Sequence, residues 1–245
     1  MKYVALAVLA ATSLLADVNS TVYVPHIVDG GSWQTTFVIV NLATLAPGQA
    51  IIHLWARDGS ALPVSFSGVS GGSPVSQVTV NLPPGGVATL ETLGNAANTT
   101  IGWADMDVQT SGHMAISAVM RQRVAGRPDY EVVVPSMRTA TTSKVFVFDH
   151  ISSAATGFGM ANASRLNAAA VDVTIRDETG RSIQTAVLNL PAGAQTSFSL
   201  ADQFPVTAGK RGTIEFAPQP GGWFNIIGLR FNPTGPFTSV EGLAP

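Results

Sequence analysis

The 245-residue chain contains no cysteine. Disulfides, iron–sulfur clusters, cysteine-ligated zinc and a lipid anchor carried on cysteine are all excluded by that one absence. Charge is also scarce, at 11% of residues against about 25% in ordinary soluble domains. Only three lysines occur, Lys2, Lys144 and Lys210, and the net charge is −2. No basic stripe exists to neutralise a row of phosphates, so nucleic acid is not an expected partner, and polybasic attraction to a membrane surface fails for the same reason. Long apolar runs are missing too, except at the start. Tyr3–Leu15 is apolar behind the single positive charge of Lys2. At about 13 residues it is too short to span a bilayer, which takes about 20, and it reads as a secretory signal. Residues 1–16 are assigned to that signal, with cleavage after Ala16 or a few residues away because Leu14 is large for the position it would hold. The mature chain is then expected to carry no membrane span and to act as a secreted, extracellular or cell-surface protein.

What the sequence has in quantity is glycine (24), proline (15) and apolar residues (46%). The apolar residues fall in runs of strand length, and no stretch shows helix-length periodicity with caps; Ala201–Phe204 has room for a single turn. The composition therefore describes many short strands joined by tight turns.

The chain repeats itself. FVIVN at Phe37–Asn41 matches FGMAN at Phe158–Asn162, and AIIHLWARDG at Ala50–Gly59 matches AVDVTIRDETG at Ala170–Gly180. VNLPPGG at Val80–Gly86 then matches LNLPAGA at Leu188–Ala194, GWADMDV at Gly102–Val108 matches GTIEFAP at Gly212–Pro218, and ISAVMR at Ile116–Arg121 matches NIIGLR at Asn225–Arg230. The matches keep their order, and their spacing changes once, between the Arg-Asp turn and NLPxG. The Gly/Ser-rich segment Ser65–Ser76 supplies the extra length in the first copy. The polar stretch Arg138–Ser143 divides the copies, giving expected domains at residues 17–138 and 139–245.

Within the first copy, strand signals lie at Thr21–Val28, Gln34–Leu42, Ile51–Arg57, Leu62–Phe66, Gln77–Leu82, Val87–Thr92, Ile101–Val108, Met114–Arg121 and Tyr130–Val134. Seven to nine short antiparallel strands per copy define an all-β chain of two tandem antiparallel β-sandwich domains, immunoglobulin- or fibronectin-like, with a jelly roll as the second choice. The order of strand, Val-Asn, loop, Arg-Asp turn and NLPxG turn resembles duplicated repeat modules of secreted bacterial proteins of unknown function. The resemblance covers both halves of the mature chain and implies a noncatalytic, immunoglobulin-like extracellular module. It implies no site residues, because its most specific motif is a turn.

Residues able to carry chemistry are few. His26, His53, His113 and His150 show no metal-ligand spacing, although His26 with Asp29 and Asp149 with His150 recur at the start of each copy. Asp105 and Asp107 share one strand face and could offer oxygens to calcium, but the second copy has only Glu215 there. No metal and no cofactor is assigned. A nucleophile elbow, a P-loop and a marked carboxylate pair are all missing, so the chain is read as not an enzyme.

Tryptophan is the better binding signal. Trp55 alternates onto one face with His53 and Arg57; if the opposing sheet covers that face Trp55 is core, and otherwise its ring can stack on a sugar or anchor a partner. Trp33 and Trp223 follow Gly-Gly turns, and Trp103 lies on a later strand. The candidate binding residues are Trp55, Trp33, Trp103 and His53. Arg57, Asp58, Arg176 and Asp177 at one turn, with Arg121 and Arg230 at the end of a strand, are read as scaffold positions shared by the copies. Asn19, Asn98 and Asn162 begin glycosylation sequons, which matter if the host glycosylates.

The expected function is a secreted or surface-associated structural or adhesive protein. Two alternatives stand beside it: a filament subunit assembled by donating the first strand, and a carbohydrate-binding module. Expected partners are a protein or polysaccharide at the cell surface, or further copies of the chain.

Overall fold

The computed structural model describes residues 20–109, 113–139 and 141–245; the expected export segment lies outside them. Among the described residues, the first half contributes eight strands: β1 (Ser20–Asp29), β2 (Trp33–Asn41), β3 (Gly48–Ala56), β4 (Gln77–Leu82), β5 (Val87–Glu91), β6 (Thr100–Val108), β7 (Met114–Gln122) and β8 (Tyr130–Val134). The second half contributes eight more: β9 (Lys144–Asp149), β10 (Ala155–Ala161), β11 (Ala169–Asp177), β12 (Ser182–Leu190), β13 (Gln195–Ser199), β14 (Arg211–Pro218), β15 (Asn225–Phe231) and β16 (Phe237–Val240). One helical turn, α1 (Leu200–Gln203), follows β13. The Leu62–Phe66 segment forms isolated bridges instead of a strand, Val64 with Val75 and Phe66 with Thr92, yet it sinks Leu62, Val64 and Phe66 into the core.

The strands form four antiparallel four-stranded sheets, two facing pairs. Sheet orders β1-β6-β3-β4 and β5-β2-β7-β8 in the first half recur as β9-β14-β11-β12 and β13-β10-β15-β16 in the second. The same connectivity is therefore drawn twice. Alternation explains which face each strand buries: in β3, Ile52 and Leu54 are fully buried while Ile51, His53 and Trp55 are not.

A buried asparagine sets the same corner in both copies. The Asn41 amide donates to Ala46 O (2.9 Å) and Pro83 O (3.1 Å), and its Oδ1 accepts from Ala43 N (3.0 Å). Asn162 donates to Asn167 O (2.8 Å) and Pro191 O (3.0 Å) and accepts from Ser164 N (3.0 Å). Each thus ties the NLPxG turn to the loop after its own strand. Satisfying buried carbonyls in this way is what a fully enclosed Asn is suited to. It also leaves Asn162, 0% exposed, unable to carry a glycan.

The first strand of each copy is an edge strand, and both edges are capped alike. Tyr23 exchanges backbone hydrogen bonds of 2.8 and 2.9 Å with Met137, and Val145 exchanges two of 2.9 Å with Leu243. β1 differs from β9 in one respect. Between Val24↔Ala104 and Ile27↔Gly102 it carries one extra residue, a bulge at Pro25-His26, whereas β9 pairs with β14 without interruption.

Candidate functional site

The strand register decides which residues of the two copies are equivalent. His53 pairs with Asp105 and Trp55 with Trp103; Thr174 pairs with Glu215 and Arg176 with Thr213. The following turns close through Gly59 N to Ala56 O and Gly180 N to Asp177 O. Gly102 presses against the Trp55 carbonyl and Gly212 against that of Arg176, at 2.1 and 1.9 Å from where a Cβ would stand. The counterpart of Arg176 is therefore Trp55, and Arg57 is not a repeat position. The Arg-Asp letters occupy the middle of one turn and the beginning of the other. The second arginine pair is corrected likewise. Phe37 faces Ala118 and Phe158 faces Gly228, so the residue matching Arg121 is Phe231, and Arg230 matches Met120 on the opposite face. Asp58 and Asp177 do share a task, each accepting from the amide two residues on, Ser60 (2.9 Å) and Thr179 (3.0 Å). The hydroxyls of Ser60 and Thr179 donate to the same carboxylates at 2.6 Å, and these bonds first, with the amide bonds second, hold both carboxyls below the usual range.

The candidate residues Trp55, His53 and Trp103 converge where the second copy docks on the first. Asp105 lies at the centre. Its Oδ1 sits 2.8 Å from His53 Nδ1 and its Oδ2 accepts from Trp55 Nε1 at 2.7 Å. Burial pushes the Asp105 carboxyl up, and the Trp55 and His53 hydrogen bonds oppose that push. Asp107 accepts from Thr21 Oγ1 at 2.7 Å, and burial raises the neighbouring Tyr23 hydroxyl.

From the second copy, Arg165 lays its guanidinium 3.4 Å from the Trp55 ring centroid. His53 stacks on the same indole at 5.8 Å, and Trp103 packs against it at 6.1 Å. Trp103 is 1% exposed and donates its indole N–H to Gly193 O at 2.8 Å. The expectation of Trp103 as a ligand platform is thereby corrected: it is an anchor between the copies with no free face. Trp55 is half-buried, on the polar face that alternation gave it, and its ring is occupied by Arg165.

Arg57 belongs to the same junction. Its Nη2 reaches Ser197 Oγ at 3.0 Å, and its carbonyl accepts from Gln195 N at 2.9 Å. Trp33 lies elsewhere along the junction, 5.3 Å from Phe237 of the second half. Arg121 stays within the first copy, bound to Gln34 Oε1 (2.6 Å) and paired with Glu91. At the start of each copy, His26 Nδ1 lies 2.9 Å from Gln195 Nε2 and Asp29 accepts from Gly94 N, whereas Asp149 pairs with Arg211 at 3.0 Å and His150 meets Thr207 O at 3.2 Å.

One nitrogen of His53 and one oxygen each of Asp105 and Asp107 lie within 4.8 Å of one another. A nitrogen with two oxygens is a donor set for a transition metal and falls short of the six to eight oxygens calcium takes. Here these atoms are engaged with each other and with Trp55 and Thr21.

Sequence reasoning missed Gln195, Gly193, Arg165 and His26 as junction residues. Pro25 was the one available signal for the bulge that aims His26, since proline inside a strand is confined to edges and bulges. Gln195 opens β13, and Arg165 and Gly193 lie in loops of ordinary composition. No protein-family model and no curated protein matches the chain. Among solved structures, the partial N-terminal region of the enterococcal surface protein aligns over 93% of this chain and 90% of its own at 7% identity, with a TM-score of 0.23. The B domain of a biofilm associated protein aligns over 88% and 78% at 7% identity, with a TM-score of 0.20. At these scores neither superposition establishes a common fold. No helix among the described residues is long and apolar enough to cross a membrane.

Proposed function

We propose that the chain is a noncatalytic structural or adhesive protein that works outside the cell, at or near the cell surface. The observation that carries this reading is the junction. Ile227, Leu229 and Phe237 of the second half belong to the same buried apolar cluster as the first half's core. Hydrogen bonds from Trp103, His26 and Arg57, and the Arg165–Trp55 stack, fasten the rim. Tandem repeats joined by a flexible linker could move independently; these are joined by packed core, which suits a chain that must transmit force or hold two faces at fixed separation. The export signal in the sequence and the absence of any cysteine fit a protein held together by its cores outside the cell.

The labelled secreted chain, incubated with cells, isolated envelope and a panel of extracellular polysaccharides, tests this. Saturable retention on one of these surfaces is expected. A chain that stays wholly in the medium and binds none of them overturns the reading. The junction does not favour the two alternatives. Strand donation from β1 would first have to displace Met137, and a sugar stacking on Trp55 would have to displace Arg165.

A further inference from the structure

Between the two copies lies a cavity of about 350 Å³ that shares no lining residue with the Asp105 cluster. Its walls are aromatic and aliphatic, with Trp33, Phe158, Phe198 and Phe231 contributing rings. Among the described residues, no acidic side chain, lysine or arginine lines it. Exposed Ala155 and Thr99 place its mouth at the surface.

Two features built this space. The first is a pair of glycines on β10, Gly157 and Gly159, where the equivalent positions on β2 hold Thr36 and Val38. A Cβ on Gly157 would stand 3.1 Å from the Phe231 ring, and one on Gly159 would stand 2.8 Å from the His26 ring. The second is the β1 bulge, which has no counterpart in β9 and delivers His26 to the wall. With Gln195 Nε2 donating to His26 Nδ1, the ring proton rests on Nε2. Burial, reinforced by Arg57, lowers the His26 pKa to about 4, so the imidazole is neutral near pH 7. Thr99, Thr156, Ser197 and Ser199 line the cavity as well, and an apolar cavity with a few placed polar groups is the usual construction of a small-molecule site.

We infer that this cavity binds a small uncharged aromatic molecule bearing one hydrogen-bond acceptor, its rings among Trp33, Phe158, Phe198 and Phe231 and its acceptor toward His26. Charge is excluded because the wall has nothing to neutralise it. Size follows from volume: a cavity of about 150 Å³ takes benzene, so this one has room for two fused rings.

Calorimetric titration of the full chain with 1-naphthol, and with naphthalene as the analogue lacking the oxygen, tests the assignment. Saturable one-to-one binding of 1-naphthol is expected, about tenfold tighter than naphthalene, the value of one neutral hydrogen bond at its upper range. Ala155→Phe, placed at the exposed mouth, should abolish binding while leaving the circular dichroism unchanged. His26→Phe should bring 1-naphthol down to the naphthalene value, while Ser197→Ala and Ser199→Ala should leave it unchanged; should His26→Phe fail to fold, a loss of the 1-naphthol preference in either serine variant overturns the hydrogen bond to His26. Absence of saturable binding, or binding indifferent to Ala155→Phe, overturns the site. Equal affinity for the two ligands overturns the hydrogen bond to His26.

Discussion

At the same point of the same sheet, the two copies hold a carboxylate in opposite ways. Glu215 accepts from Arg176 Nη1 and from Ser143 Oγ, both at 2.9 Å, and these bonds lower its pKa, Arg176 first. Asp105 has Trp55 where Glu215 has Arg176, and burial raises its pKa. Side-chain exposure is 37% and 22% for Arg176 and Glu215 but 10% for Asp105. An ordinary surface ion pair in one copy has become a buried aromatic cluster in the other, because Ala161, Ala163 and Arg165 of the second copy cover that face of the first. The consequence reaches assembly. A head-to-tail contact extends into a polymer only when each copy presents the same receiving surface. A third module docking on the second copy would find Arg176 and Thr213 where Trp55 and Trp103 stand. The junction is thus specialised for one use.

The sharpest way to break the comparison is to remove the anchor. Trp103→Ala should cost about 3–5 kcal/mol in denaturant unfolding, whereas Thr213→Ala at the matching position should cost under about 0.5 kcal/mol. Equal costs would mean that the junction contributes nothing particular to the first copy. Next comes acid. The folded pKa of His26 is lowered, to about 4, while in the unfolded chain the imidazole protonates near its ordinary value of 6.5. Between those values the unfolded state binds the extra proton, so stability is complete above pH 6.5 and falls as pH drops toward 4. The loss is on the order of 3 kcal/mol from this one group. Unfolding free energies across that window should therefore slope downward with acidification, and His26→Phe should flatten the part above pH 5. The unbulged β9 presents no histidine, so a slope that survives in His26→Phe would separate the effect from the bulge.

Much of this was legible in the letters, and the exceptions have physical causes. Alternation in Ile51–Arg57 correctly put Trp55 and His53 on the face away from the buried Ile52 and Leu54. Runs separated by Gly and Pro turns located the strands of the first copy, except that Leu62–Phe66 forms only bridges, and the single turn expected at Ala201–Phe204 falls at Leu200–Gln203. Matching letters misled at the arginines, because pairing register is set by backbone geometry and side-chain direction reverses with every residue. Arg57 and Arg176 share a dipeptide without sharing a place. The junction was hidden for a different reason: its contacts join residues as far apart as Arg57 and Ser197, or His26 and Gln195, and nothing local pairs them.

A smaller effect separates Trp55 from Arg176. Trp55→Ala deprives buried Asp105 of its Nε1–H donor and should cost about 1–3 kcal/mol. Arg176→Ala breaks a partly exposed ion pair and should cost under about 1 kcal/mol, and that cost should shrink further in high salt, widening the difference. If the two substitutions cost the same at low and high salt alike, the covered face is no better insulated than the open one.

The smallest contrast concerns the edges, where the copies agree and the expectation is equality. Proline at Met137 or at Leu243 removes the amide that donates to Tyr23 O or Val145 O, and the lost neutral hydrogen bond is worth about 1 kcal/mol. Hydrogen exchange at the Tyr23 and Val145 amides should accelerate to a similar extent in Met137→Pro and Leu243→Pro respectively. The test bears on polymer formation as well, since an uncapped edge offers its N–H and C=O groups to any passing strand. Met137→Pro should therefore associate in a concentration-dependent way by sedimentation where the unaltered chain does not. A variant that exchanges faster yet remains monomeric would show that the second copy packed behind β1 blocks the edge without help from Met137.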